Sequence, residues 1–319
     1  MPILAGLMAP PIPEPPPPVV VPEVGTVSVT YIDPQGGVWP MTDPDLPYFA
    51  LADGISGLGA APVTLTTDPL PRGGVRLRHV QPQARTIVWP VRVQCDTHQE
   101  FIDTWRALGR AWTDTLRYGP GILDLARPDG RRRQIQVRYQ DGWDGLGQPG
   151  TGITWDTAVM TLMAEDPYFY DPVPVTITRA YGTPADFLSP YPSVSSSQVL
   201  GDTTLTNPGD IEAWPTWSIT GPTSGATITN SDTGEAFVID PHATGIAHGD
   251  LLLGETVTVT TNPPGVRGPD GSNWTAALNW PSAALWGLPR GDTNVDFALA
   301  DAGVGSSVTA QFFPRYETA

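Results

Sequence analysis

The sequence predicts a mainly β chain of two domains, the first β-rich with one helix and the second an antiparallel β-sandwich. Three observations carry this reading. The 34 glycines and 37 prolines among 319 residues leave little room for helix interiors, which tolerate neither residue. The Val- and Thr-rich segments are short and are separated by Gly, Pro, Asn and Asp turns, the pattern of sheets rather than helices. The 11 tryptophans supply apolar bulk for a packed core, which argues against a disordered chain. At about 100–200 residues per domain, the length suggests about two domains.

Residues 1–23 form a proline-rich N-terminal arm. Its Pro10–Pro22 stretch favours an extended, stiff polyproline conformation without internal hydrogen bonds, suited to a spacer or to an arm reaching a neighbour. The first domain spans 24–179. Val24–Tyr31 has the β-branched content of a strand, and Asp33–Gly37 reads as a turn. Val75–Arg78 and Ile87–Val93 read as strands, the second interrupted or at an edge because Pro90 has no N–H to give. The helix follows. Thr97 caps it, Glu100 three residues later completes a capping box, and Phe101, Trp105, Leu108 and Trp112 recur on one face, suited to covering a sheet. Asp129-Gly130 turns into the alternating strand Arg131–Tyr139. Gly145–Gly152 is a loop, and Thr154–Met163 is a strand closed by Pro167. Residues 180–198, rich in Pro and Ser, form a linker. In the second domain, 199–319, the expected strands are Val199–Leu205, Thr216–Thr220, Thr227–Asn230, Glu235–Ile239, Glu255–Thr261, Thr293–Ala298 and Ser306–Phe312. This pattern fits a jelly roll and a galectin-like topology alike.

Charge is distributed unevenly. The net charge is −16 with no lysine. Met1–Pro71 has 7 acids and no base, Arg72–Arg138 has 13 arginines against 6 acids, and Ala180–Ala319 carries a net −11. A mostly acidic chain is a poor nucleic-acid binder. A positive middle between negative regions suits contacts between subunits, where arginine is favoured; a dispersed solvated face explains it equally well. The single cysteine, Cys95, lies in an apolar stretch and reads as a buried thiol. No run of 18 apolar residues is present, so no membrane insertion is expected.

Few residues point to chemistry. His242 and His248, with Asp240 and Asp250 nearby, are too weakly spaced to predict a metal site. His98 lies in the first helical turn. Asp141, Asp144 and Asp156 neighbour Trp143 and Trp155, an arrangement that acidic loops beside strands also explain. No phosphate-cradling loop or nucleophile elbow occurs, and no cofactor is expected. Trp274, Trp280 and Trp286 recur every six residues and are candidates for stacking on carbohydrate, for an interface or for the core.

The order of several motifs resembles the distal tail proteins of siphovirus-type bacteriophages. These are Gly73-Gly74-Val75-Arg76 leading to Pro90-Val91-Arg92-Val93, the helix Thr97–Trp112, and Glu165-Asp166-Pro167-Tyr168-Phe169-Tyr170. They continue with Asn207-Pro208-Gly209-Asp210, then Ile219-Thr220-Gly221-Pro222, and Leu288-Pro289-Arg290-Gly291-Asp292-Thr293-Asn294, in which Arg290 intervenes between proline and glycine. The resemblance spans Val24–Tyr316. It implies a homo-hexameric ring at the distal end of the tail in the virion, assembled in the host cytoplasm. The first domain would form the ring and a galectin-like second domain would project outward. Implied partners are the tail tube protein and a tail-associated hub or fibre protein of the host-adsorption device, with DNA passing the lumen without specific binding and no catalysis. The proline-rich arm departs from the family. A ring of identical copies needs two different patches on each copy. Arg131, Arg132, Arg133, Arg76, Arg78 and Arg92 are the candidates for one of them. The alternative is a non-catalytic carbohydrate-binding module using Trp274, Trp280 and Trp286. A hydrolase would require converging carboxylates in a cleft.

Overall fold

The structure is a computed structural model that describes residues 27–43, 45–144, 153–182 and 199–319. The arm 1–23, the start of the Val24–Tyr31 strand, the loop Gly145–Gly152 and all but the first three residues of 180–198 lie outside the described residues. The chain is mainly β, with one α-helix among the described residues.

The first unit contains β1 (Ser28–Ile32), β2 (Val38–Pro40), β3 (Tyr48–Ala50), β4 (Val63–Pro69), β5 (Val75–Pro82) and β6 (Arg85–Gln94). It continues with α1 (His98–Thr113), β7 (Gly121–Ala126), β8 (Arg132–Asp141), β9 (Trp155–Ala164) and β10 (Phe169–Tyr170). The main sheet runs β2-β1-β7-β8-β9-β6-β3, with antiparallel ladders. Alternation places Tyr31, Leu123, Ile135, Val137, Met160, Ile87 and Trp89 on one face, and α1 covers them.

Thr97 Oγ1 accepts the Glu100 N–H at 3.3 Å, while the Glu100 side chain makes no described return bond, so half of the expected capping box forms. Phe101, Leu108 and Trp112 are buried, and Trp112 stacks on Tyr31 with ring centroids 3.7 Å apart. The Tyr31 hydroxyl donates to Ala111 O at 2.9 Å, tying helix to sheet; burial, with the charges of Asp33 and Asp114 adding, pushes this phenol far above its ordinary range. Gly109 lets Trp143 lie on the helix, since a Cβ there would meet the indole nitrogen at 2.6 Å.

β6 is not interrupted at Pro90 and is not an edge strand. It pairs with β9 from Arg85 to Gln94. Val88 exchanges both backbone hydrogen bonds with Ser56, and Pro90 O accepts from Leu51 N. Groups two residues apart on a strand point the same way, so the missing N–H of Pro90 faces the irregular 51–56 segment and β9 loses nothing.

The second unit contains β11 (Val175–Ala180), β12 (Val199–Asn207), β13 (Thr216–Thr220), β14 (Gly225–Asn230), β15 (Ala236–Ile239) and β16 (Thr256–Thr261). After these come β17 (Pro264–Arg267), β18 (Gly291–Ala300), β19 (Ser307–Phe312) and β20 (Arg315–Tyr316). A five-stranded sheet, β11-β19-β13-β16-β17, faces a four-stranded sheet, β12-β18-β14-β15. Trp217, Val257 and Val308 of the first sheet and Ile228, Phe237 and Phe297 of the second share one core.

Chain order and packing diverge at the junction. The first domain was expected to run to Arg179, yet β11 pairs with β19 along its whole length, because Val175 and Ile177 pack on the sandwich core. In return, β20 leaves the second unit and pairs with β10 of the first. Arg85, 1 % exposed, fixes this crossing. Its guanidinium donates to Pro167 O at 2.7 Å, Gly57 O at 2.7 Å, Gly59 O and Glu317 O at 2.9 Å, and it lies 4.9 Å from the centre of the Phe169 ring. Arg315 donates to both carboxylate oxygens of Asp166, at 2.7 and 2.6 Å.

Replacing Arg85 strands four carbonyls. Arg85→Met is expected to lower the free energy of unfolding by about 3–5 kcal/mol, the usual cost of breaking a buried charged network, measured by urea denaturation. Arg85→Lys should recover only part of it, because an ammonium cannot span the set a planar guanidinium spans.

Candidate functional site

β4 and β5 form a two-stranded sheet of their own. The sequence reading found Val75–Arg78 but missed β4, although Val63-Thr64-Leu65-Thr66-Thr67 alternates and Pro69-Leu70-Pro71-Arg72-Gly73-Gly74 is a turn signal. The turn uses Gly73 and Gly74 at φ +92° and +83°, a backbone region that side chains disfavour. Cross-strand pairs are Val63↔Pro82, Leu65↔Val80, Thr67↔Leu77 and Pro69↔Val75, with the register shifting between Thr66 and Thr67. The extra residue lies on β5. Without it Val80 and Pro82 would face opposite to Leu77 and Val75; with it, all the apolar residues share one face. The other face carries Thr64, Thr66, Asp68, Arg76 and Gln81. The apolar face is uncovered: Leu65 is 57 % exposed and Leu77 52 %. A lone two-stranded hairpin is at best marginally stable in water, so an apolar face of this kind is built to be covered.

The six candidate arginines do not form one belt. Arg76 and Arg78 lie on the hairpin, where Arg78 pairs with Asp68 and Arg76 has no ion pair among the described residues. Arg131 is exposed, 3.8 Å from Asp129 of its own turn. Arg132 pairs with the buried Asp124, which also accepts from Gln134 at 2.7 Å. Arg133 is buried, its guanidinium 3.4 Å from the centre of the Tyr316 ring and 3.6 Å from Asp171. It is a junction residue and is not available to a neighbouring subunit. Successive residues of β8 point to opposite faces, which splits the triplet. Arg92 sits 4.5 Å above the Trp155 ring and is likewise engaged within the molecule.

The three tryptophans do not form a platform. Trp274 and Trp286 are buried in the sandwich core, and Trp286 meets Trp217 edge-on at 5.1 Å. Only Trp280, 59 % exposed, faces solvent. Cys95 is buried, and burial pushes its thiol up. His242 lies 3.1 Å from Asp250 and 3.6 Å from Asp240, and His248 lies 3.7 Å from Glu255. Among the described residues no group of His, Cys, Asp or Glu is arranged to hold a metal ion, and no helix is long and apolar enough to cross a membrane. His98 Nδ1 lies 2.5 Å from Ile153 O. Of the tryptophans near these acids, Trp143 packs on Trp105 and Trp155 lies under Arg92.

The junction, where three of the six resemblance-bearing motifs meet, is not legible in the sequence. Asp166 takes Arg315, Pro167 O takes Arg85, and Phe169 lies beneath the Arg85 guanidinium. Asn207 donates to Ile211 O and Leu288 O, and Asp210 N donates to Arg315 O at 2.8 Å. The signal was an aromatic, arginine-bearing tail with no strand partner near it in sequence.

No protein-family model matches the chain, and no curated protein matches it in sequence. Solved structures do share its fold. One is the SPP1 Dit (gp 19.1) protein, described as a paradigm of the hub adsorption apparatus in phages infecting Gram-positive hosts. It matches over 91 % of this chain and 99 % of its own, with a TM-score of 0.63 and 13 % identity. A chain of the phage P2 baseplate in its activated conformation with Ca matches over 92 % and 100 %, with a TM-score of 0.52 and 10 % identity. At such identities the likeness is one of fold, and it extends over both units and the junction between them.

Arg131→Glu is expected to leave stability within about 0.5 kcal/mol, as for an ordinary surface change. Arg133→Glu places a buried carboxylate beside the half-buried Asp171 and should lower the unfolding midpoint by several degrees, read by thermal denaturation followed by circular dichroism.

Proposed function

We propose that this chain is a structural component of a bacteriophage tail tip. Copies of it form a ring that joins the tail tube to the hub or fibre proteins of the host-adsorption device, at the distal end of the tail. The observation that carries this reading is the likeness to the SPP1 Dit protein over 91 % of this chain and 99 % of that one. The match to a phage P2 baseplate chain supports it. In this reading the first unit supplies the ring and the second unit, which includes β11, an outward-facing sandwich of galectin-like or jelly-roll type, and a hexamer is the expected count. The lumen passes DNA without binding it specifically.

The β4–β5 hairpin is the contact. Its apolar face exposes Val63, Leu65, Val75, Leu77 and Val80 together, and a ring requires each copy to offer a patch that fits a different patch on the next. Apolar area holds the contact, while Arg72 and Arg76 near the turn guide encounter with acidic surface.

Negative-stain microscopy and light scattering of the purified chain test this. A closed ring is expected, and a strict monomer at high concentration counts against self-assembly. The double substitution Leu65→Asp and Leu77→Asp should leave circular dichroism and melting temperature nearly unchanged, because both residues are exposed in the monomer, and should abolish the ring. Rings that persist in this variant exclude the hairpin as the contact.

A further inference from the structure

The chain enters the described residues at Val27, just before β1. Register fixes what lies beside that entry. Ser28 is opposite Ala126, and Ala126 is opposite Arg132, so the chain arrives next to the Arg127–Arg131 turn. On the other side of β8, Gln134 is opposite Tyr170 of β10. Opposed residues of an antiparallel pair share a face. Gln134 points away from its buried neighbours Arg133 and Ile135, so Tyr170 stands on the face of the sheet that α1 leaves open. Phe313 meets Tyr170 edge-on, with ring centroids 6.2 Å apart. Phe313 is 45 % exposed, although Phe312 beside it is buried in the sandwich core. Val173, three residues after Tyr170, is 69 % exposed, and the Tyr170 phenol lies beside the exposed Gln136.

An open aromatic pair flanked by an aliphatic side chain and an amide suits a polyproline helix. Proline rings pack on the aromatic rings, and the amide meets backbone carbonyls that such a helix leaves without internal partners. A segment of that composition is attached to this entry. Pro15–Pro18 are four consecutive prolines, and Pro18 stands ten residues before Ser28. Three strand spacings of about 4.8 Å and two residues along β8 put Tyr170 about 16 Å from Ser28. Ten residues extend to about 33 Å, so the prolines reach the pair on their own molecule. Charge agrees with reach. Residues 1–26 carry Glu14 and Glu23 and no base, while the turn they arrive beside carries Arg127 and Arg131, with Arg132 next to it. Arg131 is exposed, and its ion-pair partner among the described residues is Asp129, at 3.8 Å.

We propose that the proline-rich arm docks on its own molecule, with Pro15–Pro18 packing as a polyproline helix on Tyr170 and Phe313 and Glu23 pairing with Arg131. The covalent tether holds arm and surface at an effective concentration of roughly millimolar order, so a weak contact suffices. The docking does not depend on whether copies of the chain form a ring.

Hydroxyl-radical footprinting of the full chain, read by mass spectrometry, tests it. The comparison is with the combined variant Pro15→Ser, Pro16→Ser, Pro17→Ser and Pro18→Ser, which keeps the length and charge of the arm and removes its stiffness. Tyr170 and Phe313 should oxidise about threefold or more slowly in the unsubstituted chain, as for a tethered contact that is mostly closed. Tyr118, exposed elsewhere on the first unit, should oxidise equally in both. The protection should persist on dilution, because the contact lies within one molecule. Glu23→Arg should weaken it, and Glu23→Arg with Arg131→Glu should restore it. Phe313→Asp should speed cleavage after Glu23 by a glutamate-specific protease. Equal oxidation of Tyr170 and Phe313 in the two chains, or cleavage unchanged by Phe313→Asp, overturns the proposal. Protection that is lost on dilution overturns it in favour of an arm that docks on a second copy, and protection unaffected by Glu23→Arg removes the ion pair from it.

Discussion

One buried cation organises the molecule. Arg85 stands at the start of β6, and its guanidinium gathers carbonyls from the Gly57–Gly59 loop, from Pro167 and from Glu317 near the chain's end. A charge taken out of water is unfavourable unless its donors are used, so the site is stable only when all these segments are in place. The loop that crosses β6, the turn into β10 and the returning tail are therefore set by the same group. Arg315 on Asp166 and Arg133 over Tyr316 reinforce the seam from either side. Of the 13 arginines in Arg72–Arg138, Arg85 and Arg133 are buried at this seam, and most of the others stay exposed.

The hairpin is the counterpart of that closed seam. The first core is complete without it, since α1 and the main sheet bury each other, and β4 and β5 pair only with one another. Its register shift keeps the valines and leucines together on one side. Among the described residues nothing covers that side.

Much of the local structure was legible. The helix from Thr97 was readable because its cap and its apolar spacing are both local, and Thr216–Thr220 was found to the residue because Trp217 and Ile219 alternate with polar neighbours. What failed was non-local. Pro90 was read as a break because sequence does not show which side of a strand its missing N–H will face. The arginine triplet Arg131–Arg133 was read as one patch, although strand alternation sends neighbours to opposite faces and burial then separates them. The six-residue spacing of Trp274, Trp280 and Trp286 leaves stacking, interface and core all open, because spacing says nothing of the sandwich depth. The β11–β19 and β10–β20 pairings join residues more than 100 positions apart, and no periodicity within either segment encodes its partner.

The crossing of the two units has a consequence for biosynthesis. β10 is made about 150 residues before β20, and domains fold largely in the order they leave the ribosome. The first unit to emerge is thus the last to be finished. Until Arg315–Glu317 arrives, Arg85 lacks one of its carbonyls and β10 lacks its neighbour, while the sandwich can already close around its own core. The nascent chain carries an open seam until Arg315–Glu317 is translated, so completion of the first unit reports that the second has been made as well.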